Sequence, residues 1–141
     1  MAWDTTELKR RFSRQENAGI IQFLEREHPS AHSDIASELT LAAKGFRHSR
    51  WYCPDVNRYA YVLLHTDSGV IYGLAFGMNA LAFRLPQQEV SKALAEGGEA
   101  FPDVGNEWVC FYPFKLDLPL DMARSRMRHW CEVAHQYANT F

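Results

Sequence analysis

Residues 58–85 read RYAYVLLHTDSGVIYGLAFGMNALAFRL: three runs of alternating aliphatic and aromatic residues broken by two turn signals. Asp67-Ser68-Gly69 makes the first turn and Gly77-Met78-Asn79 the second. Gly reaches positive φ without steric cost, and Asp and Asn bond to their own backbone there. Successive strand residues face opposite ways. Tyr59, Tyr61 and Leu63 therefore share one face, and Ala60, Val62 and Leu64 the other. Both sets are apolar, which predicts a strand covered on both sides. Val70–Phe76 and Ala80–Leu85 continue it as an antiparallel meander.

Upstream, Phe46–Cys53 reads as a further strand, joined by the turn signal Pro54-Asp55-Val56-Asn57. Downstream, Pro86 suits the first turn of a helix, where its missing N–H costs nothing. Val90, Ala93 and Leu94 give that helix its apolar side, and Gly97-Gly98 ends it. Glu99–Asn106 reads as a loop and Glu107–Phe114 as a fifth strand, which Pro113 assigns to a sheet edge. A last helix starts near Pro119 with the stripe Leu120, Ala123, Met127, Trp130, Ala134, Tyr137 and Phe141. Arg128 and Glu132 are spaced as an exposed ion pair.

At the other end, Asp4 and Glu7 have the form of a capping box. Leu8, Phe12, Ile20, Phe23 and Leu24 follow at helical spacing. Asn17-Ala18-Gly19 interrupts them, so one bent helix and two short ones both fit. Pro29 ends the run. Ser33 caps a second helix to Lys44, with Ile35, Leu39, Leu41 and Ala42 on its apolar side and Gly45 after it. The expected order is α-α-β-β-β-β-α-β-α: a single α+β domain over residues 1–141, with an antiparallel meander sheet of about five strands packed with helices. Residues 1–45 form a helical extension packed on a 46–141 core.

The 141-residue length suits one domain, and a net charge of −2 sets up no global field for nucleic acid or an anionic membrane. Cys53, Cys110 and Cys131 are odd in number, widely spaced and without a CxxC, which argues for buried thiols in a reducing cytoplasm. The first residues carry no apolar signal-peptide core, and no apolar run reaches membrane-spanning length.

No motif with a recognisable catalytic mechanism is present, so no catalytic residue, cofactor or metal ligand is assigned. Cys131 and His135 are one helical turn apart, but zinc needs two more ligands and no spacing supplies them. Glu96, Glu99, Asp103 and Glu107 read as solvated acids. Arg47, Arg50 and Trp51 interleave basic and aromatic residues, and Lys9, Arg10, Arg11 and Arg14 add a second basic cluster. Bases can stack on such aromatics while Arg neutralises phosphate; the plainer reading is an ordinary amphipathic strand. A pocket between sheet and helices would draw on His65, Tyr61, Tyr72 and Trp108. Trp108 and Trp130 fall on inward positions, and an exposed Trp3 or Trp51 would mark an interface.

Residues 79–138, from Asn79-Ala80-Leu81 to the last helix, resemble the second half of the domain at the N-terminus of TfoX-type competence regulators and of YjbR-type proteins. Leu81-Ala82-Phe83-Arg84-Leu85 matches the family's strand with a basic residue near its end. Leu118-Pro119 matches the lead-in to its last helix, and Trp130, Ala134 and Ala138 keep the spacing of that helix except that Ala138 falls four rather than three residues after Ala134. The resemblance implies a small cytoplasmic domain that acts by binding, and it carries over no functional site. The sequence therefore points to a non-enzymatic module for a protein partner or a second copy, with Phe12, Ile20, Ile21 and Phe23 as the expected contact surface. A small-ligand protein or enzyme, and a nucleic-acid accessory domain, are the alternatives.

Overall fold

The structure, a computed structural model, describes residues 9–10, 12–53 and 60–141. Trp3, the capping box at Asp4 and Glu7, Leu8, Arg11, and the turn at 54–57 with Arg58 and Tyr59 lie outside the described residues. Among those described there are four α-helices: α1 (Ala18–Glu27), α2 (Ser33–Ala42), α3 (Gln87–Ala95) and α4 (Leu120–Ala138). The strands are β1 (Ser49–Tyr52), β2 (Tyr61–His65), β3 (Ile71–Phe76), β4 (Ala80–Arg84), β5 (Glu99–Ala100) and β6 (Trp108–Phe111). They form one six-stranded sheet in the order β1-β2-β3-β4-β6-β5, with every pairing antiparallel. The fold is α+β, as expected, with one strand more. The two-residue β5 forms inside the expected loop and pairs with β6. β6 is therefore flanked on both sides instead of lying at the edge, and Pro113 stands beyond its end.

The first helical run is broken, but not at Asn17-Ala18-Gly19. Lys9 and Arg10 are helical, Arg14 is extended, and a short 3₁₀ turn over Gln15–Asn17 leads into α1. Asn17 pins that junction. Its Nδ2 donates to Phe12 O and Gly69 O, and its Oδ1 accepts from Ile71 N at 2.8 Å. α1 ends at His28, whose N–H closes the last helical bond to Leu24 O and whose left-handed backbone then turns the chain away, with Pro29 following. In α2 the cap is His32, not Ser33: its Nδ1 accepts from Asp34 N.

The sheet has apolar cores on both faces. α1 covers one, with Ile20, Phe23 and Leu24 against Val62, Leu74, Ala82 and Cys110. α2, α3 and α4 cover the other, where Leu39, Ala93, Met127 and Trp130 meet Leu63, Leu81, Phe83 and Phe111. A bulge breaks the simple alternation. Leu63 pairs with Gly73, but Leu64 pairs with Ile71, so β3 carries an extra residue. Tyr72 thereby faces the α2/α4 side while Ile71 and Leu74 face α1. A Cβ at Gly73 would stand 2.9 Å from Leu63 Cδ1, so a larger residue there would make the Leu63 side chain shift.

Gly19 meets a similar constraint, because a Cβ there would lie 2.1 Å from Val104 O. Gly19→Ala is expected to cost about 1–3 kcal/mol through overpacking. An unchanged urea midpoint would show that the Val104 loop yields freely.

Cross-links between helices differ from the expected ones. Glu38, buried on α2, takes a two-pronged bond from Arg124 of α4 at 2.9 and 2.8 Å. Arg128 does not pair with Glu132. Its Nη1 donates to Ala42 O and Lys44 O, the end of α2, and its guanidinium lies over the Phe46 ring. A cation at a helix C-terminus meets carbonyls that have no partner within the helix.

Candidate binding groove

The expected contact surface is core. Phe12, Ile20, Ile21 and Phe23 are all buried on the α1 face of the sheet, which α1 covers together with Phe12, Phe101 and Val104. Exposed apolar side chains lie elsewhere. Leu41 is 45 % exposed and Trp51 is 42 % exposed. Both line a groove of about 1040 Å³ between α2 and the α2-side face of β1 and β2.

The floor of the groove is Trp51, Tyr61 and Leu63, and its wall is Ala36, Ser37, Thr40 and Leu41. Trp51 and Tyr61 stack with ring centroids 4.3 Å apart. Strand register brings them together: Trp51 pairs with Leu63, and Tyr61 lies two residues before Leu63 on the same face. α2, α3 and α4 pack mainly on β3, β4 and β6, which leaves this part of the sheet open. Two of the four Ser and Thr hydroxyls in the lining are engaged within the protein. Thr40 Oγ1 donates to Ala36 O, and Ser49 Oγ bonds the Tyr72 hydroxyl. Among the described residues Lys44 is the only charged side chain in the lining.

Of the residues singled out for a pocket, Tyr61 is in the groove. Tyr72 and His65 are on the same face but buried beside α4. Trp108 is not with them. It alternates with Val109 and Phe111 and packs on the α1 face, so the four never converge. The nucleic-acid set separates as well. Arg50 pairs with Leu64, which faces α1, whereas Trp51 pairs with Leu63, which faces the groove. Arg47 is exposed in the turn before β1. The two arginines and the ring do not make one continuous face.

His65 belongs to a ring cluster that sequence spacing does not reveal. Its centroid is 5.1 Å from that of His135 and 6.1 Å from that of His48. Its Nδ1 accepts from Ser68 N at 3.1 Å. His135 Nε2 bonds Arg47 O at 2.7 Å and the ring packs on Phe46 and Tyr72. Burial, and then the neighbouring His135, push the His65 pKa below its ordinary value, while Asp67 works the other way. The unfolded chain, at the usual value of about 6.5, therefore takes up its proton at higher pH than the folded one. That contribution to stability is complete above about pH 6.5 and is lost as the pH falls below it. The melting midpoint is expected to drop between pH 7.5 and 5.5, and less so in His65→Gln; an equal drop in the variant assigns the loss to other groups.

Cys131, one turn before His135, is buried in the α2/α4 core, and burial raises its thiol pKa strongly. Among the described residues no group of three or more His, Cys, Asp or Glu is arranged to hold a metal ion. The four loop acids are dispersed: Glu96 lies by Arg126, and Glu107 bonds Arg84 and the Tyr137 hydroxyl. No described helix is long and apolar enough to cross a membrane.

Leu41, expected on the apolar side of the second helix with Ile35, Leu39 and Ala42, is exposed while those three are buried. It stands two positions past Leu39, about 200° round the helix, off the stripe of Ile35, Leu39 and Ala42. No protein-family model, no curated protein and no solved structure matches this chain.

Proposed function

We propose that this chain is a binding module, without catalytic chemistry of its own, that holds a protein partner in the groove between α2 and β1–β2. One observation carries the reading: Leu41 and the Trp51–Tyr61 stack lie open in a mainly apolar groove, where the Thr40 and Ser49 hydroxyls are already bonded within the protein. Exposed aromatic anchors beside small residues are what a protein interface uses for affinity. An enzyme site instead needs converging polar groups with room for a substrate. The reading agrees with what the resemblance of residues 79–138 implies, a small cytoplasmic domain that acts by binding. The cytoplasm also fits three cysteines without a CxxC.

A photo-crosslinking residue placed at Leu41 tests this in native lysate, with Leu94, another exposed apolar position, as control. Adducts are expected at position 41 and not at 94. Equal yields at both, or none at 41, remove the groove as the contact site.

A further inference from the structure

We propose that the groove receives a second copy of this chain, in a two-fold dimer where the start of α4 of each copy enters the groove of the other. This rests on the reading above that the groove holds a protein.

The matching segment is on the surface of the chain itself. Residues 117–122 read DLPLDM, and Leu120 and Met122 are 48 % and 53 % exposed. Leu120 was expected in the buried stripe of the last helix; the first turn of α4 instead leaves it in solvent. Asp117 and Asp121 are exposed on either side of it. The groove is the complement. It is mainly apolar, and among the described residues its one charged lining residue is Lys44, with no carboxylate. Seating DLPLDM in the groove would cover four large exposed apolar side chains, Leu41, Trp51, Leu120 and Met122, and set carboxylates against the ammonium.

Placement allows the contact to be reciprocal. α2 presents Ala36 and Thr40 to the groove, and on its other flank meets α4 through Glu38 with Arg124 and Ala42 O with Arg128. The giving and receiving surfaces therefore flank one helix, on one side of the sheet. A two-fold axis close to α2 satisfies both at once, so the contact closes instead of propagating. Pairing along the β1 edge would not do the same. An added strand lies in the plane of the sheet and leaves Leu41 and Trp51 uncovered.

Sedimentation velocity with light scattering over a concentration series of the purified chain tests this. The mass is expected to rise from 16.3 kDa towards twice that value. Lys44→Glu and Asp121→Lys each reverse an exposed charge, and each acts twice in a two-fold dimer, so each weakens association roughly tenfold. Combining them in one chain restores it. Circular dichroism checks that each variant keeps its fold. A monomer at every concentration overturns the proposal, and so does a dimer that neither substitution weakens or that the double variant does not recover. Crosslinks from position 41 to other lysate proteins, with a purified chain that stays monomeric, keep the groove reading and eliminate the second copy as its occupant.

Discussion

Trp130→Ala is expected to cost about 3–5 kcal/mol, the largest single loss in this protein. Trp130 is fully buried on α4 and stacks on Phe111 with centroids 6.3 Å apart, between the helices and the middle of the sheet. Truncation removes the indole and leaves a void that α4, held by Arg124 and Arg128, cannot close. The conservative change separates packing from polarity. Trp130 Nε1 is buried without a hydrogen-bond partner, so the native residue carries a desolvation penalty of about 1–3 kcal/mol. Trp130→Phe removes that penalty along with part of the ring, and its net cost is expected to be under half that of the alanine variant. Equilibrium urea unfolding gives both values. A Trp130→Ala chain with a wild-type midpoint would falsify the assignment of this residue to the core.

Asn17→Ala comes next, at about 2–4 kcal/mol. The side chain is fully buried and makes three bonds, to Phe12 O, Gly69 O and Ile71 N. Removing it orphans one N–H and two carbonyls in a place water cannot easily reach, and each unsatisfied buried group costs about 1–3 kcal/mol. The loss should be local. Amide exchange of Ile71 should speed up by far more than that of Phe83, on the neighbouring strand. Equal acceleration at both positions would mean that Asn17 acts on global stability alone. Asn17→Asp keeps the acceptor for Ile71 N but turns the two donor contacts repulsive, so it should be no better than alanine.

Asn17 also marks what a sequence can and cannot tell. Strands β2, β3 and β4 were legible because turn residues bracket runs of the right length, and the core residues of α4 because they recur every three or four positions. Those are local signals. Asn17 looked like a helix breaker, since its partners at Gly69 and Ile71 are more than fifty residues away. The side of the sheet that each helix covers was hidden for the same reason. β2 and β4 are apolar on both faces, so nothing in their pattern says which helix goes where. Trp108 was grouped with Tyr61 and Tyr72 on residue type, when strand parity set it on the α1 face. Of the groove, Tyr61 and Trp51 were legible as aromatics on neighbouring strands. Leu63 was legible as Tyr61's neighbour on one strand face; the α2 wall came only with the fold, because the groove exists through what the helices fail to cover.

Pairing order has a kinetic consequence. β1, β2 and β3 each join the strand next in sequence, so the half of the sheet from β1 to β4 can zip hairpin by hairpin with short chain excursions and little closure entropy. β6 must instead wait for a loop containing α3, and α1 reaches its face only after the strands beneath it have aligned. The nucleus of folding is thus expected in the central hairpins, and the amino-terminal helix is the last piece to settle and the first to leave.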